Sequence, residues 1–337
     1  MVQSKKTLCS VVICHHKLRL IDACLDSVKE SKGVDLDVIV VTSDPTYKVP
    51  DWVRQIDCDD GPAGKRNVGA AYAKGNYIVF LDDDLTITPY TLCQLVESMN
   101  LHPRCGIGFC KIYKMDRRDI FDDCGSWLTW TGFMLSRAGN DQKDIGQYDK
   151  AEVCLSSKSA TCIVDRRDFL SAGRFDPDYF ILGEETDLAW RMWLMGKEAW
   201  YFPNAHSYHA FGTGIKPKAE YYTLYRIHFL GCRNYISLLV TNLGLLRLCL
   251  ILPVHILAWL VSASGFALRG ERARCTLILK ALGWCLMNTQ LLVSKRKTVQ
   301  SRRQISDRVL FVKVYRNPSI TYLWERLTRY LIQGLHG

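Results

Sequence analysis

The chain has 337 residues, 48% hydrophobic and 23% charged, which gives room for one large or two modest domains and argues against disorder. Its 14 cysteines are scattered, with no CxxC pair or zinc-type spacing, so they suggest a reducing compartment rather than a disulfide scaffold. The net charge of +10 is lopsided: from Gly265 onward 14 Lys and Arg face only Glu271, Asp307 and Glu325, and the body before them is near neutral. A basic, apolar tail points to an anionic membrane surface. Nucleic acid is the competing partner for such charge, but no nucleic-acid motif accompanies it.

Lys5 and Lys6 lead into only a short strand-like run, so no secretory signal is expected. Leu8 to Cys14 reads as a buried strand, followed by a polar turn at His15-His16-Lys17 and a helix from about Leu18 to Lys29. Asp37 to Val41 is a second strand ending at Thr42-Ser43-Asp44. This strand–helix–strand opening starts a parallel α/β sheet. Gly61-Pro62-Ala63-Gly64 then turns into a helix whose small residues allow close packing on the sheet. Lys65 and Arg66 stand at its start, where free backbone N–H groups favour anions. They read either as a solvated basic face or as a diphosphate contact, the latter chiefly for Arg66.

Tyr77 to Leu81 is a hydrophobic run that ends in Asp82-Asp83-Asp84. Three adjacent carboxylates cannot sit unpaired in a core, so they must emerge at the strand's C-terminal end, where open α/β sheets bind ligands. Their mutual repulsion is relieved by a hard cation such as Mg²⁺ or Mn²⁺. Taken alone, an acidic turn with a capping Asp explains them equally well. A helix from Pro89 to Leu101 and a strand from Gly106 to Tyr113 follow. Lys114 to Lys158 reads as irregular, and its Trp127 and Trp130 have two readings: core, the commoner role, or a stacking platform for a sugar.

Ala160 to Val164 is strand-like and leads through Arg166-Arg167 into a short helix ending by Gly173. A helix from Thr186 to Met195 places Glu184 and Glu185 at its N-terminus. Acids there suit the helix dipole in any protein, and at a cleft rim one of them can take a proton from a hydroxyl. Trp200-Tyr201-Phe202 is a strand with His206 and His209 beyond it, each either structural or a metal ligand. Leu248 to Leu268 has no formally charged residue and is long enough to span a bilayer, and a second apolar stretch runs from Cys275 to Ser294.

With these pieces in order, residues 7–212 resemble glycosyltransferase family 2, and most of all its bacterial and archaeal rhamnosyltransferase-type and glycan-extending members. The matching stretches are Ser10 to Cys14, Gly61 to Gly64 with Arg66-Asn67-Val68-Gly69, Tyr77 to Asp84, Gly173 to Asp176, Gly183 to Leu188, and Ala205 with His209. The resemblance implies a GT-A fold: an α/β, Rossmann-like, mixed but mostly parallel sheet flanked by helices, followed here by a C-terminal membrane-associated helical region. The implied layout is a catalytic domain over 1–215, with a nucleotide-sugar half to about 113 and an acceptor half over 114–215. A connector helix over 216–244 and a basic, apolar tail over 245–337 complete it.

By position, Asp82 and Asp84 match the DXD motif: Asp82, with Asp83, Asp44 and Arg66, is expected on the nucleotide sugar, and Asp84 with His209 on the metal, Mn²⁺ or Mg²⁺. Glu185 stands where the family has its general base, and Glu184 and Asp187, with Trp127 and Trp130, are expected to shape the acceptor site. Two departures stand out: Thr42 occupies the position after the second strand where the family commonly has Asp, and Glu185 replaces the usual catalytic Asp. The QxxRW signature of processive synthases is absent from its expected place, where Leu188-Ala189-Trp190-Arg191-Met192 stands, so transfer of a single sugar is expected.

The implied activity is inverting, metal-dependent transfer from a nucleotide-sugar donor to a lipid-linked saccharide at the cytoplasmic leaflet. Spanning the bilayer would place Arg269, Arg272 and Arg274, or the basic C-terminus, outside, against the positive-inside rule, so monotopic or re-entrant helices are expected. Transfer of a hexose to polyprenyl or dolichyl phosphate, and a catalytically silent membrane scaffold, are the alternatives.

Overall fold

A computed structural model describes residues 7–15, 20–138, 141–210, 224–320, 324 and 328. The turn residues His16 and Lys17, and Tyr221 and Tyr222 at the start of the expected connector, lie outside them. The chain forms two compact units. The first comprises Met1–Ser126, Ser136–Phe180 and Glu184–Gly214, and the second Trp127–Leu135, Ile181–Gly183 and Ile215–Gly337.

The first unit is built on one mixed sheet. Its parallel half pairs β1 (Leu8–His15) with β2 (Asp35–Thr42) and β4 (Tyr77–Asp82), and β2 with β3 (Arg54–Asp57). Next to β4 runs the antiparallel β11 (Thr161–Asp165), then β6 (Cys105–Lys114), and β12 (Glu198–His209) parallel to β6. Side chains on alternate faces explain the layering. Cys9, Val11 and Ile13 of β1 share a core with Ile21, Leu25 and Val28 of α1 (Ile21–Lys29) and with Leu92, Leu95 and Met99 of α3 (Thr91–Leu101). On the other face Val12 meets α2 (Pro62–Tyr72) so closely that a Cβ on Gly69 would lie 2.3 Å from Val12 Cγ1. Phe80 there packs against Phe169 and Phe175, with ring centroids 5.4 and 5.1 Å away.

Three details set up the site. The short β5 (Leu85–Ile87) after the triple Asp pairs antiparallel with the end of β12, which puts His209 opposite Leu85 and beside Asp84. The reading of β12 as a short strand with two histidines beyond it is corrected: it runs through both, bending at an irregularity between Phe202 and His206 that accommodates Pro203. The stretch read as irregular contains β7 (Phe121–Asp123), antiparallel to β6. There Ile112 opposes Asp123 and Tyr113 opposes Phe121, so Asp122 is the extra residue of a bulge.

The second unit is helical. A π-helical turn (Tyr225–Leu230) runs into α6 (Gly231–Asn242), followed by α7 (Leu245–Leu268), α8 (Arg272–Met287), α9 (Thr289–Ser301) and α10 (Asp307–Val314). Cys232, Ile236, Trp259, Phe266, Ile278 and Leu292 belong to its core. The helix α7 is long and apolar enough to cross a membrane, with a mean hydropathy of 2.1 and only 22% of that stretch buried. The second apolar stretch is not one helix: α8 and α9 meet at Asn288 with a 67° bend. Asn234 donates to the carbonyls of Ile181 and Leu182 at 3.0 and 2.7 Å, holding a segment in which Leu182 has φ 71°, a conformation non-glycine residues rarely keep unaided.

Candidate active site

Carboxylates and bases converge at the C-terminal end of β4. Asp82 is the last residue of that strand, and its N–H donates to the Ala160 carbonyl at 3.0 Å. From α2, the Arg66 guanidinium reaches Asp82 Oδ1 through Nη2 and Glu184 Oε1 through Nη1, both at 2.8 Å. Arg66 and Glu184 side chains are each 3% exposed, so this is a buried ion pair whose halves depend on each other. Burial works against the Arg66 charge, but Asp82 and Glu184 outweigh it and hold the guanidinium well above its usual value. Asp82 is pushed up by enclosure, with Asp84 adding to it and Arg66 opposing.

Glu184 and Glu185 lie in the first turn of α5 (Glu184–Leu194), which starts two residues earlier than the sequence pattern predicts. Desolvation, and after it the Glu184 carboxylate with which it shares a hydrogen bond, push the Glu185 carboxyl well above the usual range. A carboxyl raised in this way holds a proton more tightly than an exposed glutamate does.

Across the strand ends, His209 Nε2 lies 3.1 Å from Asp84 Oδ1. Its Nδ1 lies 2.9 Å from Asp122 Oδ2. Burial opposes a charge on His209, yet the bonds to Asp122 and Asp84 raise it to about 10. Asp122 in turn is lowered to about 2, as the bond to His209 and the Lys158 ammonium overcome its burial.

Among the described residues, one oxygen each of Asp82 and Asp84 and one nitrogen of His209 lie within 4.8 Å of one another. Two carboxylates and an imidazole on three separate chain positions form a donor set that fits a divalent ion such as Mn²⁺. These three residues can hold the metal. Asp83, between the two acids, is buried.

Asp44 closes the loop after β2, accepting from Thr46 N at 2.9 Å, while its own N–H donates to Thr42 Oγ1. Thr42 also meets His15 Nδ1 at 2.8 Å, so the departure from the usual Asp supports a local hydrogen-bond pair. Lys65 does not face solvent: its ammonium donates to His15 O at 2.7 Å and Ser43 Oγ at 3.0 Å. Arg66 faces inward onto two carboxylates. The Asp187 side chain is 4% exposed and bound to Arg191 at 2.7 Å, which braces the Ala172 and Arg174 carbonyls. Trp127 and Trp130 belong to the second unit. Trp127 lies under the Arg316 guanidinium at 5.2 Å, and Trp130 is exposed. Sequence reasoning missed Asp122 and Lys158, which sit in the stretch without periodicity.

The model described as glycosyl transferase family 2 matches residues 9–144, and that of glycosyl transferase family group 2 matches residues 77–293, well over half the chain. An uncharacterized glycosyltransferase of Haemophilus influenzae is 26% identical over 101 residues, 28% of this chain and 34% of that protein. The succinoglycan biosynthesis protein ExoO of Rhizobium meliloti is 34% identical over 97 residues, 26% of this chain and 28% of that one. The chain thus matches about a third or less of the length of these curated relatives. The mannosyltransferase PcManGT from Pyrobaculum calidifontis, solved with GDP-Man and Mn²⁺, superposes with a TM-score of 0.53 at 14% identity, over 98% of this chain and 86% of that one. The mixed sheet and its flanking helices are therefore a GT-A fold.

Proposed function

The chain belongs to glycosyl transferase family group 2, and on that footing we propose that it moves one sugar from a nucleotide-sugar donor to a hydroxyl of a lipid-linked glycan, with inversion at the anomeric carbon. The observation that carries this reading is the grouping of Asp82, Asp84 and His209 at the end of β4, joined through Arg66 to the acidic head of α5. A mannosyltransferase of the same fold holds GDP-Man and Mn²⁺, which supports a nucleotide sugar and a divalent ion here.

Asp84 and His209, with Asp82, would hold Mn²⁺ or Mg²⁺, which when bound neutralises charge on the leaving nucleoside diphosphate. Arg66 fixes the Asp82 and Glu184 carboxylates. Glu184 raises the proton affinity of Glu185, which takes the proton from the acceptor hydroxyl. The acceptor oxygen then attacks the anomeric carbon from the face opposite the leaving group, which inverts its configuration. Asp44 and Asp83 are assigned to the nucleotide side.

The helical unit is proposed to lie in, or re-enter, the cytoplasmic leaflet. Exposed Leu246, Leu250, Leu257 and Leu268 of α7 and Leu286 and Met287 of α8, together with the bend at Asn288, support this placement.

The test is turnover by the full chain in detergent, against a panel of UDP-, GDP- and dTDP-sugars with Mn²⁺ or with EDTA. The expected result is hydrolysis of one donor that stops with EDTA and in Asp84→Ala. No turnover of any donor, with no nucleotide binding by calorimetry, would overturn the reading.

A further inference from the structure

His209 is the one nitrogen donor of the cluster, and its second nitrogen is engaged. We infer that Asp122 is the residue that aims His209 at the metal, with Lys158 holding Asp122 in place. This inference rests on the metal-site reading above.

Three observations converge. Asp122 is the extra residue of the β7 bulge, and bulges re-aim a side chain that regular pairing would send elsewhere. The re-aimed carboxylate is 5% exposed and puts Oδ2 2.9 Å from His209 Nδ1. Its other oxygen is fixed: Lys158 Nζ donates to Oδ1 at 2.6 Å and to the Asp122 carbonyl at 3.2 Å. Lys158 is itself anchored, because its backbone N–H donates to Asp123 Oδ2 at 2.6 Å, and Ser157 Oγ donates to the same oxygen at 2.7 Å. The two consecutive acids of β7 thus divide the work: Asp123 fixes the 157–158 segment, and Asp122 receives the lysine that segment carries.

The consequence for His209 is geometric. A carboxylate at Nδ1 accepts a hydrogen bond and keeps the proton on that nitrogen, so Nε2, which faces Asp84, is the nitrogen that would be freed to ligate a metal. The ring cannot rotate without breaking that bond. Asp122 acts through His209 in this arrangement, so it is a positioning residue. Removing such an outer partner weakens metal binding by about 10- to 100-fold.

The experiment uses the full chain in detergent with Mn²⁺ alone. Affinity is read by electron paramagnetic resonance, and ligation of His209 by the nitrogen modulation of the echo. Wild type is expected to bind Mn²⁺ with nitrogen coupling. Asp122→Ala should bind it at least about tenfold more weakly with the coupling reduced. Asp122→Asn, whose amide oxygen still accepts from Nδ1, should fall between them and keeps the test available if the alanine variant does not fold. Lys158→Met should resemble the asparagine variant. Wild-type affinity and nitrogen coupling in folded Asp122→Ala, or in both Asp122→Asn and Lys158→Met, would overturn the inference while leaving the metal site standing. No Mn²⁺ binding by wild type would overturn both.

Discussion

Arginine does opposite work in the two units. At the end of β4, Arg66 is enclosed by carboxylates and neutralises them. In the helical unit, Arg296 and Arg303 are turned onto backbone carbonyls. Arg296 Nη1 donates to Val240 O and Leu243 O, both at 2.6 Å, and Arg303 reaches Asn242 O while pairing with Asp307 at 2.8 Å. Gln300 adds a bond to Thr241 O at 2.8 Å, and Asp307 accepts from Gly244 N at 2.7 Å. The end of α6 and the start of α7 are therefore capped from α9 and α10, in the sense the helix dipole favours. A count of basic residues thus overstates the charge this unit can offer to lipid, because some of it is spent inside.

The sharpest way to break the first half of this comparison is Glu185→Gln. It keeps the Arg66 bridges and removes only the base, so turnover should fall about 10²- to 10⁴-fold while donor affinity, read by calorimetry, stays level. Next comes Arg66→Met, which strands the buried Glu184 carboxylate and the half-buried Asp82 and should cost about 3–5 kcal/mol in urea unfolding. Arg296→Met tests the other half. It removes charge-assisted bonds to carbonyls and should cost less, about 1.5–3 kcal/mol. Equal losses for the two arginines would mean that their surroundings matter less than their burial.

The pH dependence is a smaller effect with a definite sign. Glu185 is raised above the ordinary carboxylate value of 4.5, so the base is lost as pH falls through that raised value, and the acid limb of kcat/KM should lie above the carboxylate range. A raised acid also stabilises the fold below its ordinary value and loses that contribution as pH rises through the raised one. Unfolding of Glu185→Gln, which cannot ionise, should therefore vary less with pH.

The acidic end of β4 was visible in the sequence as an apolar run closing on Asp82, Asp83 and Asp84, but the pattern did not show that Asp83 is itself buried or that β12 runs on through His206 and His209. Close packing at α2 was legible from Gly69 and its small neighbours. Asp122 and Lys158 were not, because a three-residue strand with a bulge has no periodicity to detect. β3 was missed for a related reason: Arg54–Asp57 has one apolar residue in four. The Asp187–Arg191 pair was not singled out, because an acid at the head of a helix reads the same in sequence whether it faces a ligand or, as here, a basic side chain one turn on. The break at Asn288 escaped because hydropathy does not register a bend.

The most direct measurement of the central claim is the anomeric configuration of the first-turnover product, followed by proton NMR with the donor that the panel identifies. Single displacement with Glu185 as base predicts the configuration opposite to that of the donor. Retention would contradict it, since a single displacement from the face opposite the leaving group must invert the carbon, and the arrangement at the head of α5 would then have to serve another purpose.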